Sequence, residues 1–146
     1  MIQRIQTIFL VLMAVVLGLI FVFPFASSDI ATSGFLSDKK FDVSDNPLLI
    51  VLAVLGVLAS LAAVFLFKNR IFQLRLNYMA MVAAVLVEVA AVVLFYNEAK
   101  MIFDKNQKIS DSFGLYLPFI SIVLGFLAAK YIRKDEKVVK DMDRLR

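Results

Sequence analysis

Cysteine and histidine are both absent from this 146-residue chain. Without thiols there is no disulfide framework, thiol relay or thiolate metal site. Four-span thiol oxidases that couple to quinones work through Cys, so that class is excluded. Without imidazole the chain lacks the commonest general base and the commonest metal ligand. No cofactor and no metal are expected on these grounds. Charge is also scarce, at 19% of residues, against roughly 25% in a soluble domain. The net charge is +4. No basic patch interleaved with aromatics accompanies it, so nucleic acid is not an expected partner.

What the chain has instead is apolar surface. Hydrophobic residues make up 62% of it, against roughly 45–50% in soluble proteins. They gather in four runs, at about 8–25, 47–67, 76–96 and 115–132. About 20 helical residues at 1.5 Å each cross a ~30 Å hydrocarbon core, and each run is close to that length. The sequence therefore predicts an all-α membrane protein. Its four transmembrane helices would form one antiparallel bundle spanning residues 1–146, with the lipid bilayer as its first partner.

Punctuation agrees with these boundaries. Pro24 closes the first run, Asn46-Pro47 reads as the cap and first turn of the second, and Pro118 opens the fourth. Tyr78, Tyr96, Tyr116 and Tyr131 all lie at run ends, as interfacial aromatics do. One inter-run side, with the N-terminus and the tail, carries eleven Lys and Arg, against five on the other. The positive-inside rule then places both termini in the cytoplasm. A signal peptide ending at Ala26-Ser27-Ser28 is the rival reading of the first run. The run is long for a signal, which favours an uncleaved span.

Between the first two runs, a small hairpin around Asp38-Lys39 is one reading of residues 34–43 and an irregular loop is the other. Met101-Ile102-Phe103 either continues the third helix or dips into the interface. Arg4 and Arg75, and likewise Pro47 and Pro118, recur at an offset of 71 residues. Two such anchors fit either a repeated helical hairpin or coincidence. In the tail, Val138, Met142 and Leu145 make a narrow apolar stripe at i, i+4 and i+7. That stripe predicts that the fourth span continues as a short amphipathic cytoplasmic helix, over 133–146. It is either a docking face for a membrane-protein partner or a solvated stop-transfer tail.

The opening MIQRIQ, the central Phe67-Lys68-Asn69-Arg70 with Gln73-Leu74-Arg75-Leu76, and the closing IRKDEK and DRLR together resemble a family of small bacterial four-span membrane proteins. That family is known chiefly as a domain of unknown function. The resemblance implies a bacterial cytoplasmic (inner) membrane and a four-helix bundle. It carries no activity, substrate or site residue.

One residue points toward chemistry. Glu88 lies alone in the third run, otherwise uncharged. A charge at a helix centre costs ~2.5–3.5 kcal/mol on an insertion scale, which the surrounding Val, Leu and Phe offset. Lipid exposure of the ionised form remains unfavourable, so Glu88 is expected to face the bundle interior. Ala80, Ala84 and Ala91 share its face, where small residues admit another helix. Gly56, Ser121 and Gly125 are the expected counterparts, with Ser121 at matching depth. No Lys or Arg lies inside a run, so the neutral acid is expected, donating to Ser121 or to a backbone carbonyl.

Three functions follow. The first is a scaffold or a subunit of a membrane complex, with or without self-association. The alternative is a small proton- or cation-coupled transporter using Glu88. Small multidrug transporters share four spans and one membrane carboxylate, but theirs lies in the first span. A lipid-acting enzyme is the least supported, because one isolated carboxylate makes no catalytic constellation.

Overall fold

The computed structural model describes residues 2–28, 37–102 and 109–144. Its four helices are α1 (Ile2–Leu19), α2 (Pro47–Phe65), α3 (Arg70–Ile102) and α4 (Leu117–Arg144). Local chemistry sets their ends. The Asn46 side chain accepts from the Leu48 N–H at 2.9 Å, and Pro47 takes the first helical position of α2. There its missing N–H costs nothing.

Two boundaries differ from the sequence expectation. α1 stops at Leu19, not near residue 25. Pro24 lacks an N–H, and in a continued helix its ring would clash with the carbonyl of Ile20. The chain turns instead, with the N–H groups of Phe21 and Val22 donating to Gly18 and Leu19 carbonyls. α3 starts at Arg70, six residues early, because residues 70–75 contain no helix breaker and Asn69 caps them. The Gln73 N–H donates to the Asn69 carbonyl at 2.9 Å. α3 also runs on through Met101 and Ile102, while Phe103 lies outside the described residues. α4 continues through the tail as one helix, which is the continuation expected of the fourth span. No Gly or Pro after Gly125 interrupts it.

Among the described residues, three helices are long and apolar enough to cross a membrane, over Pro47–Phe65, Arg70–Asn97 and Phe113–Val139. The apolar part of α1, Ile5–Leu19, is shorter. The helices pack in a ring, each on its neighbours in sequence, with α1 closing against α4. Each turns a stripe inward at alternating three- and four-residue spacings. In α1 the stripe is Gln6, Leu10, Met13 and Leu17, extended by Ile20 in the turn that follows, and in α2 it is Leu49, Ala53, Gly56, Ser60 and Ala63. In α3 it is Gln73, Asn77, Ala80, Ala84, Val87 and Ala91. This is the periodicity of knobs-into-holes packing at shallow crossing angles. Outward faces stay apolar, with Val15, Val51, Val89 and Phe126 each more than half exposed or close to it.

A small antiparallel sheet closes one end of the ring. Its strands are β1 (Ala26–Ser28), β2 (Lys40–Phe41) and β3 (Ile109–Asp111), in the order β2-β1-β3. A hairpin within 34–43 is one of the two readings of that segment, and it is not the pairing made by the described part. β2 pairs with β1, bringing Phe41 opposite Ala26, and residues 29–36 lie outside the described residues. Phe25, Phe41 and Phe95 seat this cap on the helices, with ring centroids 5.8 and 6.0 Å apart.

Asp42 follows β2, and its N–H donates to Asp45 Oδ2 at 2.6 Å. Burial pushes the Asp42 carboxyl above its ordinary value; the Asp38 charge adds to this and Lys40 opposes it. The folded state therefore binds this proton more tightly than the unfolded chain does. Its stabilising contribution is complete below the ordinary carboxyl value and is lost as pH rises through the raised folded one. Asp42→Asn is expected to remove that pH-dependent component. Urea unfolding across the acidic range checks this, and an unchanged pH slope in the variant refutes it.

Candidate functional site: the polar interior

Glu88 projects from the inner half of α3's circumference and is only 8% exposed. Ala80, Ala84 and Ala91 on the same side are fully or almost fully buried. Its Oε2 has no hydrogen-bond partner. The expected bond to Ser121 is absent: the buried Ser121 hydroxyl donates to the Pro118 carbonyl, 2.7 Å away on its own helix. A serine in a helix commonly satisfies itself on the preceding turn in this way.

Gly56 and Gly125 sit at tight contacts between helices. A β-carbon on Gly56 would lie 3.3 Å from Leu17 Cδ1 and 3.4 Å from Ala83 Cβ. At Gly125 the approach is tighter, with a β-carbon only 2.5 Å from Met81 Cγ. α3 and α4 therefore meet over a glycine, as membrane helices do when dispersion rather than water drives packing.

The densest polar contacts lie toward the other end of α3, at residues that sequence reasoning passed over. Gln6, Gln73 and Asn77 are fully buried. Gln73 Nε2 donates to the Ala63 carbonyl of α2 at 3.0 Å. Gln6 Nε2 reaches Gln73 Oε1 at 3.5 Å, a longer contact across the diagonal of the ring. Asn77 Nδ2 donates to the Gly125 carbonyl of α4 at 2.9 Å. One turn earlier, Arg70 Nε lies 3.0 Å from Asp135 Oδ2, and Arg70 Nη1 donates to the Asp135 backbone carbonyl at 3.1 Å. The Nε contact is an ion pair without hydrogen-bond alignment, since Oδ2 accepts no aligned donor. α3 is thus the member to which the other three helices are tied.

A signal for these residues was present. Stepping back from Ala84 by four, three and four reaches Ala80, Asn77 and Gln73. The alanine face and the polar layer are one continuous stripe. Sequence reasoning followed that stripe only from Ala80 to Ala91.

At the same end, Arg133 donates to the Tyr78 hydroxyl, with its guanidinium carbon 5.7 Å from the centre of the ring. Phe9 stacks on Tyr131 at 5.4 Å. Of the expected docking stripe, Val138 is 42% exposed. The Met142 side chain and Leu145 lie outside the described residues. Among the described residues no group of three or more Asp or Glu could hold a metal ion.

An apolar exterior, helices of spanning length and an interior tied by carboxamides define a membrane-associated α-helical protein. The family model described as a domain of unknown function, DUF4293, matches residues 2–145, and the chain belongs to that family. No curated protein and no solved structure matches the chain.

Proposed function

We propose that this chain is a non-enzymatic, single-domain, four-span protein of the bacterial cytoplasmic membrane, with both termini in the cytoplasm. It serves there as a scaffold or as a subunit of a membrane complex. α1 is short, but it packs between α2 and α4 in the same ring and keeps Ile8, Val11, Leu12 and Val15 on its outer face. Whatever medium surrounds its neighbours surrounds α1 too. The exposed Phe21, Val22 and Phe23 extend its apolar belt beyond Leu19. The excess of Lys and Arg at the turn between α2 and α3 and in the tail supports the orientation.

The observation that carries the scaffold reading is the use made of the polar interior. Gln73 and Asn77 direct their amide donors at neighbouring helices, and Gln6 directs its own across the ring, which locks the four helices together. Each such bond in lipid contributes about 0.6 kcal/mol on average. Glu88 belongs to the same packed seam.

Glu88→Gln retains the shape of the neutral acid. It is expected to stay within about 1 kcal/mol of the parent in detergent unfolding. Vesicles carrying the unaltered protein are expected to show no proton-coupled cation flux. A flux present with the parent chain and lost in a folded Glu88→Gln variant would overturn the scaffold reading in favour of transport.

A further inference from the structure

The outer surface between α2 and α3 carries a groove of about 580 Å³. Leu55, Leu58 and Ala62 form one wall, and Met79, Val82 and Leu86 the other. Tyr78 borders the groove toward the tail-side end of the bundle. Where α2 and α3 connect, at the end of this apolar channel, their charges are of one sign.

Arg75 continues the stripe of Met79, Val82 and Leu86 by one further turn, at spacings of four, three and four, so it lies on the face that lines the groove. It is exposed, and its guanidinium carbon rests 5.6 Å from the centre of the Phe72 ring. Arg133, also exposed, is held to Tyr78 on the bordering side. Residues 46–87, which contain both groove-forming helices and their connection, include no Asp or Glu. Arg70 already has its own carboxylate in Asp135, which leaves Arg75, Arg133 and Lys68 to attract an anion.

We propose that this groove binds an anionic glycerophospholipid, with an acyl chain between α2 and α3 and the phosphate at Arg75 and Arg133. Planar guanidinium groups suit a phosphate's oxygens. The apolar walls suit a chain, and the depth sequence from guanidinium to tyrosine to aliphatic side chain follows that of a lipid from headgroup to tail. A second copy of the chain is the competing occupant. In one membrane it would arrive in the same orientation and set Arg75 against Arg75. The lipid satisfies the charge that a second copy would double. This proposal rests on the membrane placement above.

Native mass spectrometry of the full chain in neutral detergent tests it, using phosphatidylglycerol and phosphatidylcholine with identical acyl chains. Phosphatidylglycerol is expected to bind more tightly. Near a membrane surface each basic residue contributes about 1 kcal/mol, so the Arg75→Gln/Arg133→Gln double variant is expected to lose on the order of thirtyfold in phosphatidylglycerol affinity. Ala62→Phe, which fills the groove, is expected to weaken both lipids, and Arg75→Lys is expected to retain most of the preference. Circular dichroism of each variant separates lost binding from lost fold. Equal binding of the two lipids, or an unchanged double variant, overturns the proposal. So does efficient disulfide crosslinking of Met79→Cys copies in membranes, which would assign the groove to a second copy. If the chain instead fails to integrate into vesicles at all, the membrane placement itself falls.

Discussion

Replacing Arg70 with methionine is expected to lower the free energy of unfolding by about 3 kcal/mol, the low end of the range for stranding one member of a buried ion pair. The Arg70 and Asp135 side chains are 18% and 11% exposed, so solvent screens them little. Without the guanidinium, Asp135 loses its countercharge at the α3–α4 contact, and its backbone carbonyl also loses a donor. Asp135→Leu is expected to cost less, because Arg70 retains that carbonyl at 3.1 Å and has a long stem with which to reach water. The double variant Arg70→Met/Asp135→Leu is expected to recover most of the loss, since an apolar pair replaces a buried ionic one at little cost. Denaturant unfolding in detergent micelles completes the cycle. Additive single losses would mean that the two side chains do not interact.

Gly114→Ala is expected to be comparably damaging, by about 3 kcal/mol, at the upper end of typical overpacking costs. A β-carbon there would lie 2.3 Å from the Pro24 carbonyl oxygen and 2.4 Å from that of Phe23. Both atoms belong to the backbone, so neither can move without shifting the turn that ends α1. The Gly114 N–H also donates to the Pro24 carbonyl at 3.0 Å, and Ser112 donates from its N–H to Phe25 beside it. The substitution therefore attacks the joint between the α1 turn and the approach to α4. Gly18→Ala is the control. Nothing lies within 4 Å of a β-carbon there, and alanine favours a helix by up to about 1 kcal/mol. Equal stability of the two variants would refute the steric account.

The membrane class and helix count were legible because apolar runs and caps are local. Asn46 and Pro47 start α2 where their chemistry says they should. Pro24 closes the first run in the sequence, but its reach back to the carbonyl four residues earlier moves the helix end inward to Leu19. α3 starts at Arg70, ahead of its apolar run, because polarity marks where lipid ends, and a helix has no need to end there. Glu88 was visible as the lone acid of its run, whereas Gln6, Gln73 and Asn77 were hidden by their positions near run ends.

Hydropathy and turn chemistry along the chain were enough to assign α-helices of spanning length, an apolar exterior and an inward stripe with Ala80 and Ala84. These follow from one dimension, since a 1.5 Å rise and a 3.6-residue turn convert sequence directly into length and face. Pairing was decided only by the tertiary structure. Gln6 meets Gln73 across the ring, Asn77 meets the Gly125 carbonyl, and three strands distant in sequence form one cap. Ser121 turns to Pro118 and leaves Glu88 Oε2 without a partner. Such choices depend on how far each helix is rotated and shifted against its neighbours. Packing of all four helices together sets those two quantities, and no single segment contains them.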